Sequence, residues 1–151
     1  MSRLRKGTAA GALAVAVVGG FEGLRTTAYE DAVGVGTICY GETRGVHLGD
    51  HKTKPECDAM LLARLNEFAG RVEACVKRPM PDKVEVAFVS LAYNIGEGAF
   101  CASSVARLYN AGESRAACDA IMRFNRAGGH VLSGLTNRRK RERALCLEDL
   151  S

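Results

Sequence analysis

The sequence predicts an α+β chain, with a small β-hairpin lobe and a mainly helical lobe. Three observations carry this reading: a glycine-punctuated run of β-branched residues at 29–41, apolar residues at helical spacing after Thr53, and an almost wholly apolar stretch at 84–95. With 151 residues, 47% of them hydrophobic and 25% charged, the chain is long enough to bury a core without a metal and lies far from disordered compositions.

Arg3, Leu4, Arg5 and Lys6 open the chain as a basic cluster, and residues 7–21 carry no charge. This is the order of an export signal. The uncharged run is rich in alanine and glycine. At 1.5 Å per residue it reaches roughly 22 Å, short of a hydrocarbon core of ~30 Å, so a permanent transmembrane helix is not expected. Ala14-Val15-Ala16 offers a small-residue cleavage site. An uncleaved export segment and a plain Ala-rich helix stand beside that reading.

From Tyr29 to Gly41, valine, threonine, isoleucine and tyrosine between glycines read as a hairpin. Thr53 to Pro55 then opens a helix, with the proline suited to its first turn. Leu61, Leu62, Leu65, Phe68, Ala69 and Val72 carry that helix to about Val76. Arg78-Pro79-Met80-Pro81 breaks it, and residues 84–95 are expected to form the central helix of the larger lobe. Shorter helices are expected to begin near Ser103, Ser114 and Thr136, separated by residues 110–112 and by Gly128-Gly129.

Six cysteines at 39, 57, 75, 101, 118 and 146 contain no CxxC pair, which disfavours a zinc or thioredoxin-like site and favours disulfides in an oxidising compartment. The expected pairing is Cys39–Cys57 in the hairpin lobe, Cys75–Cys101 across the central helices and Cys118–Cys146 between the last helices. A net charge of +4 suggests an anionic partner. The basic run at 138–143 reads as a mostly solvated helix face. No helix-turn-helix or RRM-like signature accompanies it, so nucleic acid is not expected as a partner.

Chemistry concentrates near the hairpin. Glu22 closes the first helix, Asp31 enters the hairpin, and Thr37 lies further along it. A helix-end acid and a carboxylate on a hairpin can flank a cleft, as glycoside hydrolysis requires. Taken alone, two carboxylates at this spacing mean little, since most such pairs are solvated surface charges. His47 and His51 lack the glutamate of an HExxH site, so no metal is expected there.

Glu22, Asp31 and Thr37 follow an E-x8-D-x5-T pattern. With Tyr93-Asn94-Ile95-Gly96-Glu97-Gly98-Ala99-Phe100, Ala127-Gly128-Gly129 and Gly134-Leu135-Thr136-Asn137-Arg138-Arg139, it resembles the phage-type lysozymes of glycoside hydrolase family 24, phage endolysins included. The resemblance covers residues 21–147. It implies a lysozyme-like fold with the active-site cleft between the lobes, and hydrolysis of the β-1,4 bond between N-acetylmuramic acid and N-acetylglucosamine in peptidoglycan. Glu22 would be the general acid, with Asp31 and Thr37 positioning the water. Asn94 would bind substrate in the cleft, with a helix C-cap as its other reading, and Arg138 would pair with the acid. No cofactor is implied.

The chain departs from the pattern in two places. Glu42 stands where many relatives have histidine, and Phe124-Asn125-Arg126 stands where tryptophan is frequent; the chain has no tryptophan. Residues 1–21 resemble the signal-anchor-release segments of some endolysins. They would precede a lysozyme domain at 22–151, divided into a hairpin lobe at 22–56 and a helical lobe at 57–151. The enzyme would be exported to the periplasm of the bacterial host, first tethered to the inner membrane, and would act as a monomer. The rival reading is a catalytically inactive wall-binding domain on the same fold.

Overall fold

The computed structural model describes residues 4–150, so Arg3 of the basic cluster and the first residues of the 1–21 segment lie outside the described residues. The chain divides into two compact units, Leu4–Asn66 and residues 67–150, with the boundary inside one long helix.

In the first unit the Ala/Gly run forms α1 (Ala9–Glu22). Thr8 caps it by accepting from the Gly11 N–H at 3.0 Å. Gly23, at φ 79°, ends it and returns its own N–H to the Gly19 carbonyl at 3.0 Å. The helix buries Ala10, Ala14, Val17 and Val18. Gly23 and Leu24 then lead into β1 (Arg25–Glu30), which pairs antiparallel with β2 (Gly36–Cys39), Tyr29 opposite Thr37 and Arg25 opposite Cys39.

The hairpin therefore starts at Arg25, before the expected start at Tyr29. Thr26 and Thr27 are β-branched and extend the strand. The other side of this stretch is also satisfied: the Ala28 N–H donates to Asp50 and the Lys52 N–H to Thr26, each at 2.9 Å. Long helix α2 (Lys54–Cys75) opens with a capping box. The Thr53 N–H donates to Glu56 Oε1 at 3.1 Å, and the Glu56 N–H donates to Thr53 Oγ1 at 3.3 Å. Cys57, Leu61 and Leu65 of α2 are buried, as are Ile38 and Tyr40.

The second unit centres on α3 (Asp82–Ile95), in which every residue from 84 to 92 is buried, as its all-round apolar pattern predicts. Phe88 meets Phe100 and Tyr109 at centroid distances of 5.5 and 5.3 Å. Beyond it come α4 (Glu97–Cys101), α5 (Ser104–Asn110), α6 (Ser114–Ala120), a 3-10 turn (Ile121–Arg123), a second hairpin of β3 (Arg126–Ala127) and β4 (His130–Val131), and α7 (Ser133–Glu148).

Ser103 caps α5, accepting from the Ala106 N–H at 3.3 Å. Three features differ from the sequence reading. Helix α4 is too short to show a period. Gly128 and Gly129, at φ 57° and 80°, form the turn of a hairpin rather than a bare break. Helix α7 begins one turn before Thr136, whose hydroxyl accepts from Asn125 Nδ2 at 3.2 Å instead of capping.

All six cysteines are paired as expected: Cys39–Cys57 in the first unit, Cys75–Cys101 and Cys118–Cys146 in the second.

Candidate active site

Glu22, Asp31 and Thr37 all belong to the first unit. Glu22 is the last residue of α1 and is exposed. Asp31 follows β1 directly and builds the hairpin turn. Its Oδ1 accepts from the Val33 and Val35 N–H groups at 3.0 and 2.8 Å, and its backbone N–H donates to the Val35 carbonyl at 2.9 Å. Its second oxygen, Oδ2, has no hydrogen-bond partner among the described residues. Thr37 is 4% exposed on β2 and donates its hydroxyl proton to the Val35 carbonyl at 2.9 Å.

Three ties hold the far end of β2 to α2. Cys39, in the left-handed region at φ 62°, turns the strand and is bonded to Cys57. The Tyr40 hydroxyl donates to Asp58 Oδ1 at 2.6 Å, and Lys54 Nζ reaches Asp58 Oδ2 at 2.7 Å. Burial and the Asp58 carboxylate together raise the Tyr40 pKa above its ordinary value. Finally, Arg64 Nε donates to Glu42 Oε2 at 3.1 Å, and the Thr43 and Arg44 N–H groups donate to Glu42 Oε1 at 3.0 and 2.9 Å. Burial pushes the Glu42 carboxyl up, but the Arg44 N–H, Arg64 and the Thr43 N–H outweigh it and hold it below the usual range. Where many relatives carry histidine, this chain thus has a charged anchor between hairpin and helix.

Asn94 and Arg138 belong to the second unit. Exposed Asn94 sits near the end of α3, where Gly96 is the actual C-cap. It lines a pocket of about 450 Å³ with Ile95, Phe124, Arg126, Ala127 and Leu135. Arg138 is buried; its Nε donates to Glu142 Oε2 at 3.2 Å and one terminal nitrogen to the Ser90 carbonyl at 3.2 Å.

The basic run at 138–143 is not the mostly solvated face that its composition suggested. Arg138, Arg139 and Glu142 are buried, at 5%, 0% and 0% exposure, and Lys140 and Arg141 are left in solvent. The i, i+3 and i, i+4 spacing sets both arginines against Glu142, which also accepts from Ser90 Oγ of α3 at 2.6 Å. Burial draws the Arg139 guanidinium below its ordinary value, opposed by Glu142 and reinforced by Arg138. The sequence carried no signal for this, since a charged stripe has the same period whether buried or solvated.

A mostly helical chain with two small antiparallel hairpins is the architecture of the lysozyme-like glycoside hydrolases. The chain belongs to the phage lysozyme family, whose model matches residues 19–142. It is similar to the SAR-endolysin of Enterobacteria phage P21, 39% identical over 95% of each chain. Among solved structures it is similar to a P22 lysozyme variant, with TM-score 0.86, 31% identity and coverage of 97% of this chain and 99% of that one. An endolysin from Escherichia coli O157:H7 phage FAHEc1 aligns with TM-score 0.81, 31% identity and coverage of 90% and 91%. The protein is a lysozyme, a glycoside hydrolase of the endolysin type.

Proposed function

We propose that this endolysin cleaves the β-1,4 bond between N-acetylmuramic acid and N-acetylglucosamine, with Glu22 as general acid and Asp31 and Thr37 holding the attacking water. One observation carries the assignment. The turn commits Asp31 Oδ1 and the Thr37 hydroxyl proton to backbone groups, leaving Asp31 Oδ2 and the Thr37 oxygen as acceptors. A water donating to both presents its lone pairs for attack, and the carboxylate takes up its proton as the bond to the sugar forms. Glu22, on a rigid helix end, protonates the leaving oxygen. Asn94 offers an amide to the glycan, and Arg138 is the arginine that the family resemblance pairs with the acid.

Residues 1–21 carry the enzyme out uncleaved, hold it on the inner membrane, and then leave the bilayer to complete a monomeric lysozyme in the periplasm that has no use for nucleic acid. What supports this is the SAR-endolysin naming of relatives and the uncharged Ala/Gly-rich run. Helix α1 is fourteen residues long, and no helix among the described residues is long and apolar enough to cross a membrane.

Glu22→Gln keeps size and hydrogen bonding but removes the transferable proton. Lysis of purified peptidoglycan should fall at least a hundredfold with circular dichroism unchanged. A variant keeping a tenth of the wild-type rate would refute the acid assignment, and wild type that binds wall without cutting it would establish the inactive reading.

A further inference from the structure

Arg139 touches two pocket-lining residues, Asn94 and Phe124, and exposes none of its side chain. Its guanidinium donates in three directions: Nε to the Phe124 carbonyl at 2.7 Å, one terminal nitrogen to Glu142 Oε1 at 2.5 Å, and the other to Asn94 Oδ1. Arg138 and Arg139 share Glu142 as a partner. A buried guanidinium needs an acceptor for each of its donors. Arg139 finds two of them in Asn94 and Phe124, which line the pocket. Asn94, with its oxygen held inside, has only its N–H2 group to offer a ligand.

We propose that Arg139 is a positioning residue for substrate binding: it fixes the Asn94 amide so that the pocket presents an N–H donor to an amide carbonyl of the wall polymer. This rests on the reading of the pocket as a substrate site. The carbonyl belongs either to a sugar N-acetyl group or to a stem peptide. A planar fork reaches three separated acceptors; a lysine ammonium at the same place does not. The arginine also suits a chain without tryptophan, because it anchors the backbone of Phe124 where a larger ring would otherwise define the wall.

Asn94→Asp separates holding from donating, because its carboxylate still accepts from Arg139 but has no N–H for the ligand. With soluble peptidoglycan fragments, KM should rise about tenfold, as for one lost charge-free donor in a pocket, while kcat stays within about twofold. Arg139→Lys should raise KM several-fold in the wild-type background and have no further effect in Asn94→Ala. Fragments stripped of stem peptide and fragments stripped of N-acetyl groups form two further arms. The removal that abolishes the difference between wild type and Asn94→Asp identifies the carbonyl. The proposal is overturned if Asn94→Asp leaves KM within twofold, if Arg139→Lys acts equally in both backgrounds, or if neither removal closes the difference. Should Arg139→Lys not fold, Asn94→Asp decides alone. Failure of the lysozyme reading shows separately, as wild type that binds these fragments without cutting them.

Discussion

In the first unit Arg64 meets Glu42 at 3.1 Å with 26% and 12% of their side chains exposed; in the second, Arg139 meets Glu142 at 2.5 Å with neither side chain exposed. The two pairs use the same groups but carry different stakes. Water at the rim of the first pair solvates either partner if the other is lost. Inside the second unit, each charge depends on its partner and on a few fixed dipoles. The hairpin that bears Asp31 and Thr37 is therefore held by a disulfide plus several modest polar ties, and α7 by a disulfide to α6 plus a buried network whose charges depend on one another.

The largest expected effect comes from breaking the buried network. Glu142→Ala removes the buried carboxylate that Arg138 and Arg139 share and should cost about 3–5 kcal/mol in urea unfolding. A loss under 1 kcal/mol would mean that the arginines find water or another anion.

Next is the contact between α1 and the hairpin lobe. A Cβ on Gly19 would lie 3.1 Å from Tyr40 Cε1, whereas one on Gly20 meets nothing within 4 Å. Gly19→Leu should cost about 1–3 kcal/mol through overpacking, and Gly20→Leu very little. Both raise the hydrophobicity of the export segment. If the segment leaves the membrane before the enzyme works, Gly20→Leu should delay lysis by slower release without weakening the released fold. Equal stability losses in the two variants would remove the distinction.

The Glu42 tie is smaller and has a pH signature. Its carboxyl is held below the ordinary 4.5, so the native state binds fewer protons than the unfolded chain. The stabilisation is present above that value and is lost as pH falls through the folded-state pKa. Glu42→Gln should therefore cost about 1–2 kcal/mol at neutral pH, with the gap to wild type closing well below pH 4.5. A gap that persists in acid would assign the loss to shape rather than charge.

Smallest is the surface pair of Arg143 and Asp119, 43% and 58% exposed. Arg143→Ala should change stability by less than about 1 kcal/mol and respond to salt. A larger, salt-independent loss would erase the contrast between exposed and buried pairs.

Much of the molecule was readable from neighbouring residues. Thr53 to Pro55 open α2 as expected, the almost wholly apolar 84–95 stretch specifies a central helix, and the cysteines pair as expected. The E-x8-D-x5-T pattern marked the family because helix end, turn and strand follow one another closely there. Such features depend on backbone preferences and side-chain periods that a short segment carries in full.

The fate of the 138–143 run was settled elsewhere in the chain. Whether Arg139 and Glu142 face water depends on Ser90, Asn94 and Phe124, which the fold brings to them from α3 and from the segment ahead of the second hairpin. The orientation of Asn94 arose in the same way. A charged helix stripe has one period in both settings, and only the packing of distant partners fixes the dielectric around it and the acceptors within its reach.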